Sequence, residues 1–372
     1  MIKKLWFFAL IQCAFGLDAY VLSGLVLPIS KSLHTAPESI GLGIAFFTIA
    51  YALSTPVMGK YFRLIHTKFI LQIALVIFIL GNIITIYANS LEFFLVARLF
   101  AGIGAGLFSP IAFAIAVQLS TKENRGSAIS IVLAGLSIGT ALGVPVGLWL
   151  AKVYTWKFTI IVIILLSAIG LIILYLKRAL IPLVENNNSF FTKNMISHKT
   201  ISILAITFFT GFASLGLYSY LPELLVAQKF PSFIIYAMWL WGIGGCIGAF
   251  SIGKLLDTFV SNRSLTISIS LTIIVSFVFI FLGNINLILF SCFLWGYAGW
   301  SSIVPQQHTL TSIPEVSHRD ILALNASLNY LGGAIGTIFS SWIVHMHKLV
   351  YLPLILTPIL MYNLYLRYLY KD

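Results

Sequence analysis

Twelve apolar runs, each long enough as a helix to cross the hydrocarbon core of a bilayer, decide what this chain can become. They cover residues 5–29, 40–61, 69–88, 91–119, 126–151 and 158–176, then 201–222, 232–256, 265–283, 286–310, 320–344 and 349–369. Lipid offers no water to satisfy backbone N–H and C=O groups, so such runs are expected to span it as α-helices. Of the 372 residues 60% are hydrophobic and only 9% charged, with a mean hydropathy of +1.02, more apolar surface than a soluble fold of this size could hide. The expected class is an all-α polytopic membrane protein with 12 transmembrane helices. Lys3-Lys4 followed by apolar residues imitates a signal peptide. The run from Leu5 is too long for one and shows no small-residue cleavage site, so it reads as an uncleaved first span.

Lys and Arg number 22 against 10 Asp and Glu, a net charge of +12. In a soluble protein that excess would suggest nucleic acid; here retention of positive charge on the cytoplasmic side accounts for it. With the N-terminus inside, sixteen basic residues fall in cytoplasmic loops and tails and five in outer loops, while Arg98 lies within a span. This bias predicts both termini in the cytoplasm and residence in the inner (cytoplasmic) membrane. Cys13, Cys246 and Cys292 are scattered through apolar runs without ligand spacing and read as small hydrophobes.

The longest polar stretch, 177–199, contains Glu185-Asn186-Asn187-Asn188-Ser189 and divides the chain almost in half. It predicts an N-terminal six-helix bundle over 1–176, a cytoplasmic linker over 177–199 and a C-terminal bundle over 200–372. The halves repeat. Leu27-Pro28 is matched by Leu221-Pro222, Gly59-Lys60 by Gly253-Lys254 at the same spacing, and Leu80-Gly81-Asn82 by Leu282-Gly283-Asn284 at a longer one. Carriers built from such repeats bind substrate near the bilayer midplane.

Within this apolar frame one acid lies deep. Asp18 sits in a run with no other charge between Lys4 and Lys31, whereas the other acids fall in loops, tails or helix ends. An ionisable group in that position is expensive, so it implies a partner, water or a proton, and reads as a proton carrier or cation site. Arg98 is the basic residue inside a span. Counted from the helix ends at 1.5 Å per residue, Asp18 and Arg98 come to compatible depths, and contact between them would favour the ionised carboxylate until protonation or substrate broke the pair. Gly135, Gly139, Gly143 and Gly147 recur every fourth residue in the fifth span, with Pro145 among them, forming a ridge for close helix packing and a candidate hinge. Polar and aromatic candidates for a substrate cavity are Gln12, Tyr20, Tyr218, Tyr220, Trp295, Gln306, Asn325 and Asn329. His345-Met346-His347 has no third ligand near it, so no metal is expected, and no cofactor either. HExxH, GxxxxGK[ST], GxSxG and the dinucleotide glycine loop are all missing, which leaves ATP-driven transport and membrane hydrolysis without a motif.

These residues resemble the major facilitator superfamily, in particular its twelve-span drug:proton antiporter family, whose members export drugs, sugars and purine nucleosides. Gly16-x-Asp18-x-x-Val21-x-x-Gly24-Leu25-x-x-Pro28 is similar to that family's first-span motif, and Ala97-Arg98-x-x-x-Gly102-x-Gly104 to its fourth-span motif. Gly135-x-x-x-Gly139-x-x-x-Gly143-x-Pro145-x-Gly147 resembles the fifth-span antiporter motif, the most specific of the set. Pro305-Gln306-Gln307 and Asn325-x-Ser327-x-x-Tyr330-x-Gly332 resemble spans ten and eleven. Trp156-Lys157-Phe158 matches its counterpart only in part. The resemblance implies a gating loop after the second span at Gly59 and Arg63, with a counterpart at Gly253 and Asp257. Arg63 stands where the family places an Asp, which implies a weakened or rebuilt latch.

The expectation is a secondary transporter, not an enzyme, exporting a small hydrophobic drug or metabolite in exchange for protons by alternating access. Asp18 would carry the proton and Arg98 would modulate it, in a monomer whose partners are the small molecule, protons and lipid, not nucleic acid. Proton-coupled uptake of a nutrient or siderophore is the runner-up; a membrane enzyme or receptor would need a polar cluster at one membrane face, which the sequence lacks. The position matching Asp18 in the second half is Phe212, so proton handling is expected in the first half alone.

Overall fold

The computed structural model describes residues 2–35, 37–61, 66–182, 197–258, 262–313 and 318–369. Arg63 and most of the linker expected at 177–199 lie outside these residues. The described residues form helices and short connections, without a strand. In chain order the helices are α1 (Ile2–Leu33), α2 (Pro37–Tyr61), α3 (Thr67–Tyr87), α4 (Leu91–Gln118), α5 (Arg125–Val153) and α6 (Trp156–Leu176). There follow α7 (His198–Ser219), α8 (Leu221–Ala227), α9 (Ile234–Thr258), α10 (Asn262–Phe281), α11 (Ile285–Ser301), α12 (Ile303–Thr311), α13 (His318–His345) and α14 (Leu352–Leu369). Among the described residues, 11 helical segments are long and apolar enough to cross a membrane, and α2 adds the shorter apolar stretch Ser39–Ser54.

One expected span is broken: the run 201–222 divides into α7 and α8 at Tyr220. The run 286–310 stays within one apolar span, Ile285–Thr311, in which Ser302 between α11 and α12 keeps helical φ and ψ. The break falls just before Pro222, whose missing N–H and ring disrupt the carbonyl four residues back. The same residue is tolerated at Pro28, Pro110, Pro145 and Pro358, which stay inside their helices. The Leu-Gly-Asn correspondence also fails as a repeat: Gly81 and Asn82 are buried in mid-α3, whereas Gly283 follows α10 with φ +70°. A helix interior and a left-handed helix end are different uses of one tripeptide.

Backbone contacts divide the chain into two compact units, Met1–Phe190 with Ser317–Ser327, and Phe191–Val316 with Leu328–Asp372. Inside each unit, glycines set the closest helix approaches. In the first, a methyl group at Gly135 or Gly139 of α5 would strike the carbonyl oxygens of Ala9 or Cys13 of α1, and Gly143 and Gly147 continue the seam against Leu17 and Val21. Gly16 returns the arrangement from α1 against Leu136 and Thr140. Both helices advance four residues per contact in the same direction, so they run parallel. Gly102 and Gly106 of α4 meet Phe47 and Tyr51 of α2 in the same way. The second unit repeats both seams, with Gly332 and Gly336 of α13 against Phe208 and Phe212 of α7, and Gly296 of α11 against Trp241 of α9.

Candidate functional site

Arg98 owes its position to a well-formed helix start. Ser90 caps α4 by accepting a hydrogen bond from the Phe93 N–H, and Glu92 adds negative charge to the first turn. Two turns on, Arg98 Nη1 donates to Asp18 Oδ1 at 2.8 Å, and Nη2 lies 3.4 Å from the Asp18 carbonyl oxygen. The side chains are 0% (Asp18) and 1% (Arg98) exposed, so water does not screen the pair. The third face of the guanidinium is covered by Phe47 of α2, whose ring centroid is 4.9 Å from Arg98 Cζ. Gly43 clears space one turn away; a Cβ there would stand 3.3 Å from Arg98 Cγ. One cation thus ties α1, α2 and α4 together. Asp18 Oδ2 and Arg98 Nε are buried without a hydrogen-bond partner among the described residues.

Further along the same pair of helices, Ser109 donates its hydroxyl to Gln12 Oε1 at 3.0 Å, and Gln12 Nε2 is buried and unpaired. The second unit carries a similar bond between α7 and α12, where Thr207 donates to Gln306 Oε1 at 2.8 Å and Gln306 Nε2 is left unpaired. Tyr218 and Trp295 are drawn into a closed aromatic cluster. Tyr218 lies 4.3 Å from Trp241 and 6.3 Å from Trp295 between ring centroids, Phe277 meets Trp295 edge-on, and Trp295 Nε1 donates to Ser214 Oγ.

The remaining candidates are spread out. Tyr20 is half-buried two residues from Asp18, and Tyr220 is half-buried at the joint between α7 and α8. Asn325 is buried on α13; Asn329, half-buried on the same helix, packs its backbone carbonyl against Gly211. Pro145 is half-buried in α5. Gly59 lies near the end of α2, Gly253 is buried in α9, and Asp257 is half-buried in that helix's last turn. Cys292 is fully buried, whereas Cys13 and Cys246 are half-buried. Phe47, Ser109 and Thr207 were not singled out by sequence, since an aromatic or hydroxyl residue in an apolar run carries no mark of its partner.

Among the described residues, the ionic cluster has no copy in the second unit. Phe47, Arg98 and Gly102 stand at the same offsets from Pro28 as Trp241, Cys292 and Gly296 do from Pro222. The Gly102–Phe47 and Gly296–Trp241 contacts show that these offsets are structural equivalences. Arg98 and Phe47 therefore correspond to Cys292 and Trp241, and counting back from the two prolines sets Asp18 against Phe212; all three second-unit side chains are buried and uncharged.

A helical membrane protein of two repeated units, with a buried ion pair between its first and fourth helices, has the build of a secondary carrier. The chain belongs to the Major Facilitator Superfamily, whose model matches residues 8–337. It is 26% identical over 344 residues to YbcL, an MFS-type transporter of Bacillus subtilis (strain 168), covering 90% of this chain and 86% of that protein. It is 21% identical over 361 residues to a probable sugar efflux transporter of Helicobacter pylori (strain P12), covering 94% and 90% respectively. Its fold matches the human organic anion transporter MFSD10 with a TM-score of 0.79 at 13% identity, over 98% of this chain and 99% of that one. This is the major-facilitator fold, twelve transmembrane helices in two six-helix bundles.

Proposed function

We propose that this carrier exports a small, largely hydrophobic compound in exchange for protons by alternating access, with Asp18 as the proton carrier and Arg98 as its partner. The observation that carries the reading is the fully buried Asp18–Arg98 pair. Two desolvated charges are expensive to keep, and replacing such a pair with apolar residues is often stabilising, so its presence here favours a working role over a structural one. Protonation at Asp18 Oδ2 would neutralise the carboxylate, and its reversal would recharge it, giving the two states an exchange cycle needs. The glycine seam between α1 and α5 supplies a smooth packing surface on which α1 can shift, and Gly59, Arg63, Gly253 and Asp257 are the candidate gating positions. In this reading the bundles over 1–176 and 200–372 are the moving bodies, joined by 177–199. Both termini face the cytoplasm of a monomer in the inner membrane, in keeping with the basic bias of the loops.

A sugar as the exported compound is a second reading, favoured by the relatives named as probable sugar efflux transporters. The buried amide groups of Gln12 and Gln306 would suit hydroxyl-bearing substrates. The test is transport by purified protein in liposomes, with ethidium and lactose as probes and a pH gradient imposed in either direction. Gradient-driven movement of either probe against the proton flow supports exchange and selects the class; movement with the proton flow supports uptake. A gradient response that survives Asp18→Asn removes Asp18 from the cycle.

A further inference from the structure

The guanidinium of Arg98 is held from two sides that respond differently to a proton. The Asp18 carboxylate attracts it only while ionised, whereas the Phe47 ring and the Asp18 backbone carbonyl attract it whatever the carboxyl's state. The ring is itself fixed, because Phe47 is buried and its backbone carbonyl lies against Gly102, one turn beyond Arg98 on α4. We infer that Phe47 is a positioning residue of the pair: it keeps Arg98 docked against α1 and α2 in both protonation states of Asp18. The proton can then enter and leave at Oδ2, the unpartnered oxygen, without Arg98 swinging away. This rests on the reading of Asp18 as proton carrier and adds a role that reading does not contain.

The consequence is measurable. Without the ring, Arg98 is free to leave once Asp18 is neutral, and that relaxation favours the protonated form, so protonation occurs at higher pH. A desolvated cation–π contact limits the effect to about one pH unit, a tenfold change in proton affinity. Among the side chains the structure describes, the charged groups on the helices packed around the pair are Lys31 on α1, Lys68 on α3, Glu92 on α4, Arg125 and Lys152 on α5, and Lys157 on α6, all in first or last turns. The same helices also carry Cys13 and Tyr20 on α1 and Tyr51 on α2.

The test is pH-difference infrared spectroscopy of the purified full chain in liposomes, which needs no transported substrate. The carbonyl stretch of protonated Asp18 is identified by its loss in Asp18→Asn. The expected result is a titration about one pH unit higher in Phe47→Leu than in wild type, with Phe47→Trp, which keeps a π face, overlaying the wild type. Superimposable titrations for wild type and Phe47→Leu overturn the inference, as does an equal displacement in Phe47→Trp, which marks a packing effect. If Phe47→Leu does not fold, Phe47→Met takes its place under the same criteria. Failure of the proton-carrier reading shows separately, as gradient-driven transport that is unchanged in Asp18→Asn.

Discussion

Asp18 and Arg98 stand 80 residues apart in the chain and 2.8 Å apart in the fold, both closed off from solvent. Neither charge has another ionic partner among the described residues, so each depends on the other. Arg98→Ala leaves a buried carboxylate alone, a change that costs about 3–5 kcal/mol in comparable cases. The expected outcome is a large fall in the thermal unfolding midpoint in detergent. Asp18→Asn combined with Arg98→Gln removes both charges and recovers most of the loss. A double variant no more stable than Arg98→Ala alone would contradict this electrostatic account.

How far the sequence reached follows from which physical constraint was in force. The bilayer imposes helix length and excludes charge, so the apolar runs and the isolated acid were legible, and depth counting brought Asp18 and Arg98 together. Side-chain packing leaves no such mark: nothing separates Phe47 from Phe46 in the run Ala45-Phe46-Phe47-Thr48, yet the ring of Phe47 covers Arg98. Proline was visible but ambiguous. Pro222 stands just after a helix break while Pro110 and Pro145 lie in unbroken helices, because the outcome depends on whether neighbours re-satisfy the freed carbonyl.

The glycine seams make a contrast between positions. Gly139→Leu forces a side chain into the Cys13 backbone and should separate α1 from α5, seen as loss of folded protein after membrane extraction. Gly41 of α2 has open space where a Cβ would sit. Gly41→Ala is therefore expected to stabilise by about 0.5–1 kcal/mol through helix propensity, raising the unfolding midpoint. Equal effects from the two substitutions would mean that close approach is not what the seam glycines supply.

Besides the ion pair, α1 and α4 are joined by the side-chain hydrogen bond from Ser109 to Gln12. Ser109→Ala strands the Gln12 carbonyl oxygen in addition to its already unpaired amide nitrogen, at a cost of about 1–3 kcal/mol. Gln12→Met together with Ser109→Ala removes donor and acceptor alike and is expected to come close to wild type in thermal unfolding. If Gln12 also contacts the exported compound, the double variant keeps stability while the KM for transport rises, which separates the structural from the binding contribution.

The uncharged Phe212, Cys292 and Trp241, at the same sequence offsets from Pro222 as Asp18, Arg98 and Phe47 from Pro28, allow the two halves to be tested against each other. Phe212→Asp would bury a carboxylate where no cation is paired among the described residues. Its expected effect is severe destabilisation, relieved in part when Cys292→Arg adds a buried cation to the same unit. Phe212→Leu, by contrast, changes only packing. If proton handling is confined to the first half, Phe212→Leu shifts the rate of pH-driven transport in liposomes but leaves the shape of its pH profile that of the wild type. A profile displaced along the pH axis would place part of the proton cycle in the second half. The asymmetry drawn from those three uncharged positions would then have to be given up.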